Sequence, residues 1–329
     1  MDTQLLTAND RDIQCAADLL NGGGTVAVPT ETVYGLAADA RNPAAVNKIF
    51  TAKQRPNNHP LIVHIHDLAQ ISLVCSEVPE VALQLAAKFW PGPLTLILPK
   101  HSQMPDEVTG GLSTIGVRMP AHPVLRSILA NGDLIVAAPS ANPHKQLSPT
   151  SAQQVLKSLS GRINAVLDGG ICHVGLESTI VDLGSEQAQL YPRVLRAGPI
   201  TPSQLSRAIG RSVQGYEAHQ QAVPGNIEQH YQPKGRLTTV TTEDVIAHLS
   251  QWPQNTACLW HSDAVAEQLS TVTAPNLFSI SADKPAYAQA LYRMLYEIDQ
   301  VGFTHIWVEQ PPQSEQWADV NDRLRRASA

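Results

Sequence analysis

For its first two hundred residues the chain reads as short apolar runs, each ended by a polar or Gly/Pro turn. TVAVPT, LIVHIH, WPGPLTLILP, TIGVRMP, LIVAAPSAN, AVLDGG, STIVDL and VLRAGPI are brief and mostly β-branched, and each predicts a strand. Residues 10–20, 43–52 and 79–89 carry helical patterning between them. Helices at about every second strand predict an α/β protein with a mixed, open sheet. The pattern then breaks. Residues 210–236 show no sustained periodicity and read as a linker. From residue 237 regular alternation returns, with strands LTTV, ACLW, LFSI and HIWVE and helical stretches such as YAQALYRMLYEIDQ. This predicts a small parallel, Rossmann-like α/β domain over 237–329, behind a larger first domain over 1–209.

Composition narrows the function classes. The 329 residues are 43% hydrophobic and 16% charged, with a net charge of −6, which argues against a protein that coats nucleic acid through its phosphates. No apolar run approaches the roughly 20 residues a membrane helix needs, and the N-terminus shows no secretory pattern. Four cysteines are scattered without C-x-x-C spacing, so a reducing, cytoplasmic setting is expected rather than a disulfide or metal framework. The glycines at 22–24 precede a strand and lack a following G-K-[ST], so they read as a helix end rather than a phosphate loop.

The candidate chemistry gathers at the strand ends, where open α/β sheets hold ligands. In KQRPNNHPLIVHIH, Lys53 and Arg55 flank a Pro-locked turn that leads into a strand carrying His64 and His66. Arg118 and Arg196 also sit beside Pro or Gly turns. Arginine offers a fork for carboxylate or phosphate and lysine a point charge, so such groups suit a ligand with several phosphates. Thr30, Thr32, Ser140, Ser148, Ser178 and Thr179 occupy turns as hydrogen-bonding equipment. None stands in a G-x-S-x-G elbow, so no nucleophilic serine is expected. His64 and His66 lack a carboxylate or cysteine at ligand spacing, and Asp168 and Glu177 lack D-x-D pairing, so no dedicated metal cage is read and any Mg²⁺ is expected to arrive with substrate phosphates. Tyr34 reads equally as a pocket wall and as a core tyrosine.

Taken in order, PTETVYGL, K-x-R-P-x-x-x-P-L-x-V-H, WPGPLTLIL, VRMPAHP, APSAN with a later SPT, LDGG, ESTIVD and LRAG resemble the Sua5/YrdC family of threonylcarbamoyl-AMP synthases. PGNIEQHYQPK and WADVNDRLRRAS resemble the linker and last segment of its longer, two-domain members. The resemblance implies a twisted open α/β sheet joined to a Rossmann-like domain. It implies a reaction in which L-threonine, bicarbonate or CO₂, and ATP give threonylcarbamoyl-AMP and diphosphate for t6A modification of tRNA. It also implies a separate threonylcarbamoyl transferase as recipient, and Mg²⁺ brought with ATP.

Carried over by position, Lys53 and Arg55 would serve the chemistry. Lys53, Asn57, Thr114, Ser140, Asn142, Ser148, Arg196 and linker Tyr231 would hold ATP. Thr30, Thr32, Tyr34, His64, Arg118, Ala138 and Ser178 would surround threonine. Departures occur at Gln54, where many members have Gly, at His59, where many have Asn, and in PHKQL, where His144 and Lys145 replace a Ser-Gly pair. An RNA-binding module of the same fold is the competing reading. The acidic balance and 5% aromatic content, which offers few stacking platforms, weigh against it.

Overall fold

A computed structural model describes residues 2–217, 221, 223–224, 230–270 and 276–329, so parts of the expected linker lie outside the described residues. The chain divides into two compact units, Met1–His144 with Ser148–Asn226, and Lys145–Leu147 with Ile227–Ala329.

The first unit holds ten strands: β1 (Gln4–Thr7), β2 (Val26–Val28), β3 (Gly35–Asp39), β4 (Ile62–His64), β5 (Leu94–Pro99), β6 (Thr114–Arg118), β7 (Val136–Ala137), β8 (Ala165–Asp168), β9 (Thr179–Asp182) and β10 (Arg193–Arg196). They form one sheet in the order β1-β8-β2-β3-β7-β4-β6-β5-β9-β10. Pairing is mixed: β4 with β6 and β5 with β9 are parallel, while β2 with β3 and β5 with β6 are antiparallel. Several strands are shorter than the apolar runs that announced them: β7 keeps only Val136–Ala137 of LIVAAPSAN, and β4 ends at His64. His66 falls outside β4, and its ring lies 3.8 Å from the Asp133 carboxylate.

The helix Asp10–Asn21 ends as expected. Gly22 caps it, and the amides of Gly22 and Gly24 return to the carbonyls of Asp18 and Leu19. Its apolar face packs with Leu125, Ile128 and Leu129 of the helix Pro123–Gly132 over β2 and β8. Helix Pro43–Lys53 packs Val46, Ile49 and Phe50 into a second, larger core. Two of the departures share a backbone reason. Gln54 and Lys145 adopt φ of 53° and 71°, so both occupy the left-handed conformation that a glycine takes without strain.

The second unit is a four-stranded, wholly parallel sheet of β11 (Arg236–Val240), β12 (Thr256–Trp260), β13 (Leu277–Ser279) and β14 (His305–Glu309), in the order β11-β14-β12-β13. Helix Lys284–Val301 supplies Tyr287, Leu291, Leu295 and Ile298 to its interior. Among the described residues no helix is long and apolar enough to cross a membrane.

Candidate active site

The register of the central strands brings the first two site residues together. β4 and β6 run parallel with His64 paired to Arg118, so both side chains leave the sheet at neighbouring strand ends. The turn after β2 then folds over them. Thr30 Oγ1 binds its own turn, meeting Thr32 Oγ1 at 2.8 Å and accepting the Thr32 and Val33 amides, a short polar side chain taking up turn amides. From that turn Thr32 Oγ1 accepts from Arg118 Nη1 at 3.0 Å, and Glu31 Oε1 accepts from Nη2 at 2.5 Å. Arg118 Nε donates to the Gly92 carbonyl at 3.2 Å.

A second cluster adjoins on β9 and β10. Arg196 donates to the Ser178 carbonyl from Nε and Nη2, and to Ser178 Oγ at 2.9 Å. Ser178 Oγ also lies 2.8 Å from Thr95 Oγ1 of β5. This close approach needs Gly198 after β10, where a Cβ would stand 2.2 Å from the Thr179 nitrogen.

The third cluster is built on the loop after β7. Lys53, last residue of its helix, points Nζ at the Ser140 carbonyl and at the Asn142 carbonyl, the latter at 2.5 Å. Ala138 donates its amide to Ile62 of β4, and Ala141 to the Tyr34 carbonyl, so this loop is pinned to both earlier segments. Ser148 Oγ donates to Glu177 Oε1 at 2.6 Å. Tyr34 is buried, and its hydroxyl donates to the Gly170 carbonyl at 2.7 Å.

Electrostatics follow from burial. Lys53, Arg118 and Arg196 are only 2%, 4% and 4% exposed. They are turned inward, which suits a small anion rather than the backbone of an RNA. Burial, and then the Arg55 charge, disfavours the charged form of Lys53 and holds it well below the usual lysine range, so an anion that reaches it favours the ammonium again. Burial and the neighbouring Arg118 push His64 down to about 3, and its ring is neutral near pH 7. His64 Nδ1 is buried with no hydrogen-bond partner among the described residues, which leaves a polar atom for a ligand.

Burial alone would raise Glu31, but the charge and hydrogen bond of Arg118 outweigh it and keep the carboxyl below its ordinary range. Among the described residues no group of three or more His, Cys, Asp or Glu is arranged to hold a metal ion.

Not every expected residue joins these clusters. Thr114 opens β6, four residues and roughly 13 Å of strand from Arg118. Asn57 lies exposed in its turn. Arg55 donates to the Pro60 carbonyl at 3.1 Å. Tyr231 belongs to the second unit, where its buried ring stacks on Tyr292 at 5.7 Å and lies under the Arg323 guanidinium. Conversely, Glu31, Thr95 and Glu177 bond directly to the expected site residues. In the sequence Glu31 and Thr95 stand only as members of the PTETVYGL and WPGPLTLIL motifs, and Glu177 reads only as a metal-ligand candidate.

Buried cations, hydroxyls and one neutral imidazole, gathered at the strand ends of an α/β sheet, define a binder of small charged molecules. Comparison with known proteins narrows this class. A family described as telomere recombination, Sua5_yciO_yrdC, matches residues 18–198, and the C-terminal domain of threonylcarbamoyl-AMP synthase matches residues 200–329. The threonylcarbamoyl-AMP synthase of Pyrococcus abyssi is 34% identical over 96% of this chain and 94% of its own length. That of Bacillus subtilis is 36% identical over 99% and 95%. The crystal structure of P. abyssi Sua5 complexed with L-threonine is similar with a TM-score of 0.88 at 33% identity, covering 99% of this chain and 98% of that one. The chain belongs to the Sua5/YrdC family.

Proposed function

We propose that this chain is an L-threonylcarbamoyladenylate synthase, joining L-threonine, bicarbonate or CO₂, and ATP into threonylcarbamoyl-AMP and diphosphate. The observation that carries the reading is the pairing of Arg118 with His64 at adjacent strand ends, in a chain similar over its whole length to a threonine-complexed Sua5. Two N–H groups of Arg118 remain for the amino acid's carboxylate, since three of the five in a guanidinium are used. The open Nδ1 of His64 meets the substrate hydroxyl, and Ser178 and Thr32 close the pocket. Once carbon dioxide has joined the threonine nitrogen, a carbamate oxygen attacks the α-phosphorus and diphosphate leaves.

Both reactants are anions, so the rate comes from holding them together against buried positive charge, not from a covalent intermediate. Lys53, with the Ser140 and Asn142 turn, faces the triphosphate, which arrives with Mg²⁺. Arg196, Ser148, Asn57 and Thr114 hold the rest of the nucleotide, with Arg55 near the reacting phosphate. The product is a mixed anhydride, labile in water, so a cytoplasmic transferase that modifies tRNA is the fitting recipient.

Diphosphate release from ATP, measured with Mg²⁺ and bicarbonate, with and without L-threonine, tests this. Threonine-dependent release that disappears in Arg118→Ala and in Lys53→Ala is expected. Release that ignores threonine, or that survives both substitutions, would overturn the assignment.

A further inference from the structure

Arg118 is held at the site by a carboxylate that the reaction itself does not call for. Glu31 Oε1 accepts from Arg118 Nη2 at 2.5 Å, while its other oxygen accepts the Ala121 amide at 3.0 Å. The carboxylate is therefore clamped between the guanidinium and the main chain three residues beyond it. Glu31 is 7% exposed, and its Oε1–Nη2 contact is an ion pair within the first unit's interior. Buried pairs of this kind contribute little net stability, because desolvating both charges offsets their attraction. What the pair does supply is direction. The other two acceptors on the guanidinium, Thr32 Oγ1 and the Gly92 carbonyl, are neutral and sit at 3.0 and 3.2 Å.

We propose that Glu31 is a positioning residue for substrate recognition: it fixes the Arg118 guanidinium so that the two uncommitted N–H groups are presented to the amino acid's carboxylate. This rests on the reading of Arg118 as the carboxylate fork. Two effects of Glu31 oppose each other. Its charge repels an incoming carboxylate, and its hydrogen bond keeps the fork aimed. The clamp at both oxygens makes aim the larger effect, since the carboxylate cannot swing away as substrate enters.

The test separates the two. L-Threonine and MgATP binding are titrated individually into the full-length protein and its Glu31→Ala, Glu31→Gln and Arg118→Ala variants. Glu31→Ala is expected to weaken threonine binding by about tenfold or more, the scale of one lost hydrogen bond to a charged group. In turnover, the KM for threonine rises and the KM for ATP stays. Glu31→Gln, whose single amide oxygen still accepts from Nη2 but no longer leaves an acceptor for the Ala121 amide, recovers part of that loss, and ATP affinity is unchanged throughout, reporting an intact fold. Threonine binding that is unaltered or tighter in Glu31→Ala would overturn the proposal and make Glu31 a competitor of the substrate. So would Glu31→Gln binding as weakly as Glu31→Ala. If Arg118→Ala still binds threonine normally, the fork assignment fails instead.

Discussion

Two buried carboxylates, one in each unit, meet opposite fates. In the first unit, Glu31 holds an arginine that keeps N–H groups to spare, and beside it His64 Nδ1 has no partner among the described residues. In the second, Glu309 ends β14 at the carboxyl edge of a parallel sheet, the very place where such folds hold ligands. Yet Glu309 is fully buried and saturated. It accepts Thr242 Oγ1 at 2.7 Å and the amides of His261 and Ser262 at 2.7 and 3.0 Å. Burial would raise its carboxyl, but the His261 ring 3.2 Å away, then the His261 amide, with Ser262 and Thr242, hold it far below the usual carboxylate range. The Arg118 guanidinium keeps N–H capacity for a ligand, whereas the Glu309 carboxylate has been filled by its own chain. The lesson is that fold places a candidate site, while unspent hydrogen-bonding capacity decides whether it is one.

Substitutions break this contrast in order of size. Arg118→Ala removes the fork of the open edge, and threonine-dependent diphosphate release is expected to fall by about a thousandfold, the scale of losing a preorganised charge from a buried site. Glu309→Ala in the closed edge should leave threonine affinity intact while costing about 2 kcal/mol of stability in urea unfolding, because a buried acceptor is removed from three donors. Loss of threonine binding in Glu309→Ala would break the contrast from the other side.

The smallest effect is on pH dependence. His64 has its folded pKa depressed from 6.5 to about 3, so the unfolded chain holds a proton there that the folded chain does not. Its contribution is present above pH 6.5 and is lost as pH falls toward 3, at up to about 1.4 kcal/mol per pH unit. From pH 7 to pH 5 the unfolding free energy of wild type should therefore drop more than that of His64→Gln, by up to about 2 kcal/mol. Parallel pH profiles would remove His64 from the account.

Much of this was legible in the sequence because the motifs are local. Lys53, Ser140, Ser178 and Arg196 announce themselves at Pro and Gly turns, and all four lie in the clusters the structure shows. What stayed hidden depends on distant partners. GLAAD has weak strand preference and becomes β3 only by pairing with β2 and β7. QLLT is too short to read, with Leu5 exposed on an edge strand. Glu31 looks like an ordinary turn charge until Arg118 arrives, 87 residues later, to bury it. His66 shares the strand pattern of His64 but not its strand, since β4 stops at His64.

The most direct measurement is a crystal structure of the protein with bound L-threonine. The account predicts the carboxylate within about 3 Å of the two uncommitted N–H groups of Arg118, the hydroxyl at His64 Nδ1, and the Glu31–Arg118 pair still in place. Threonine bound elsewhere, or bound here with Arg118 turned away from it, would contradict the account.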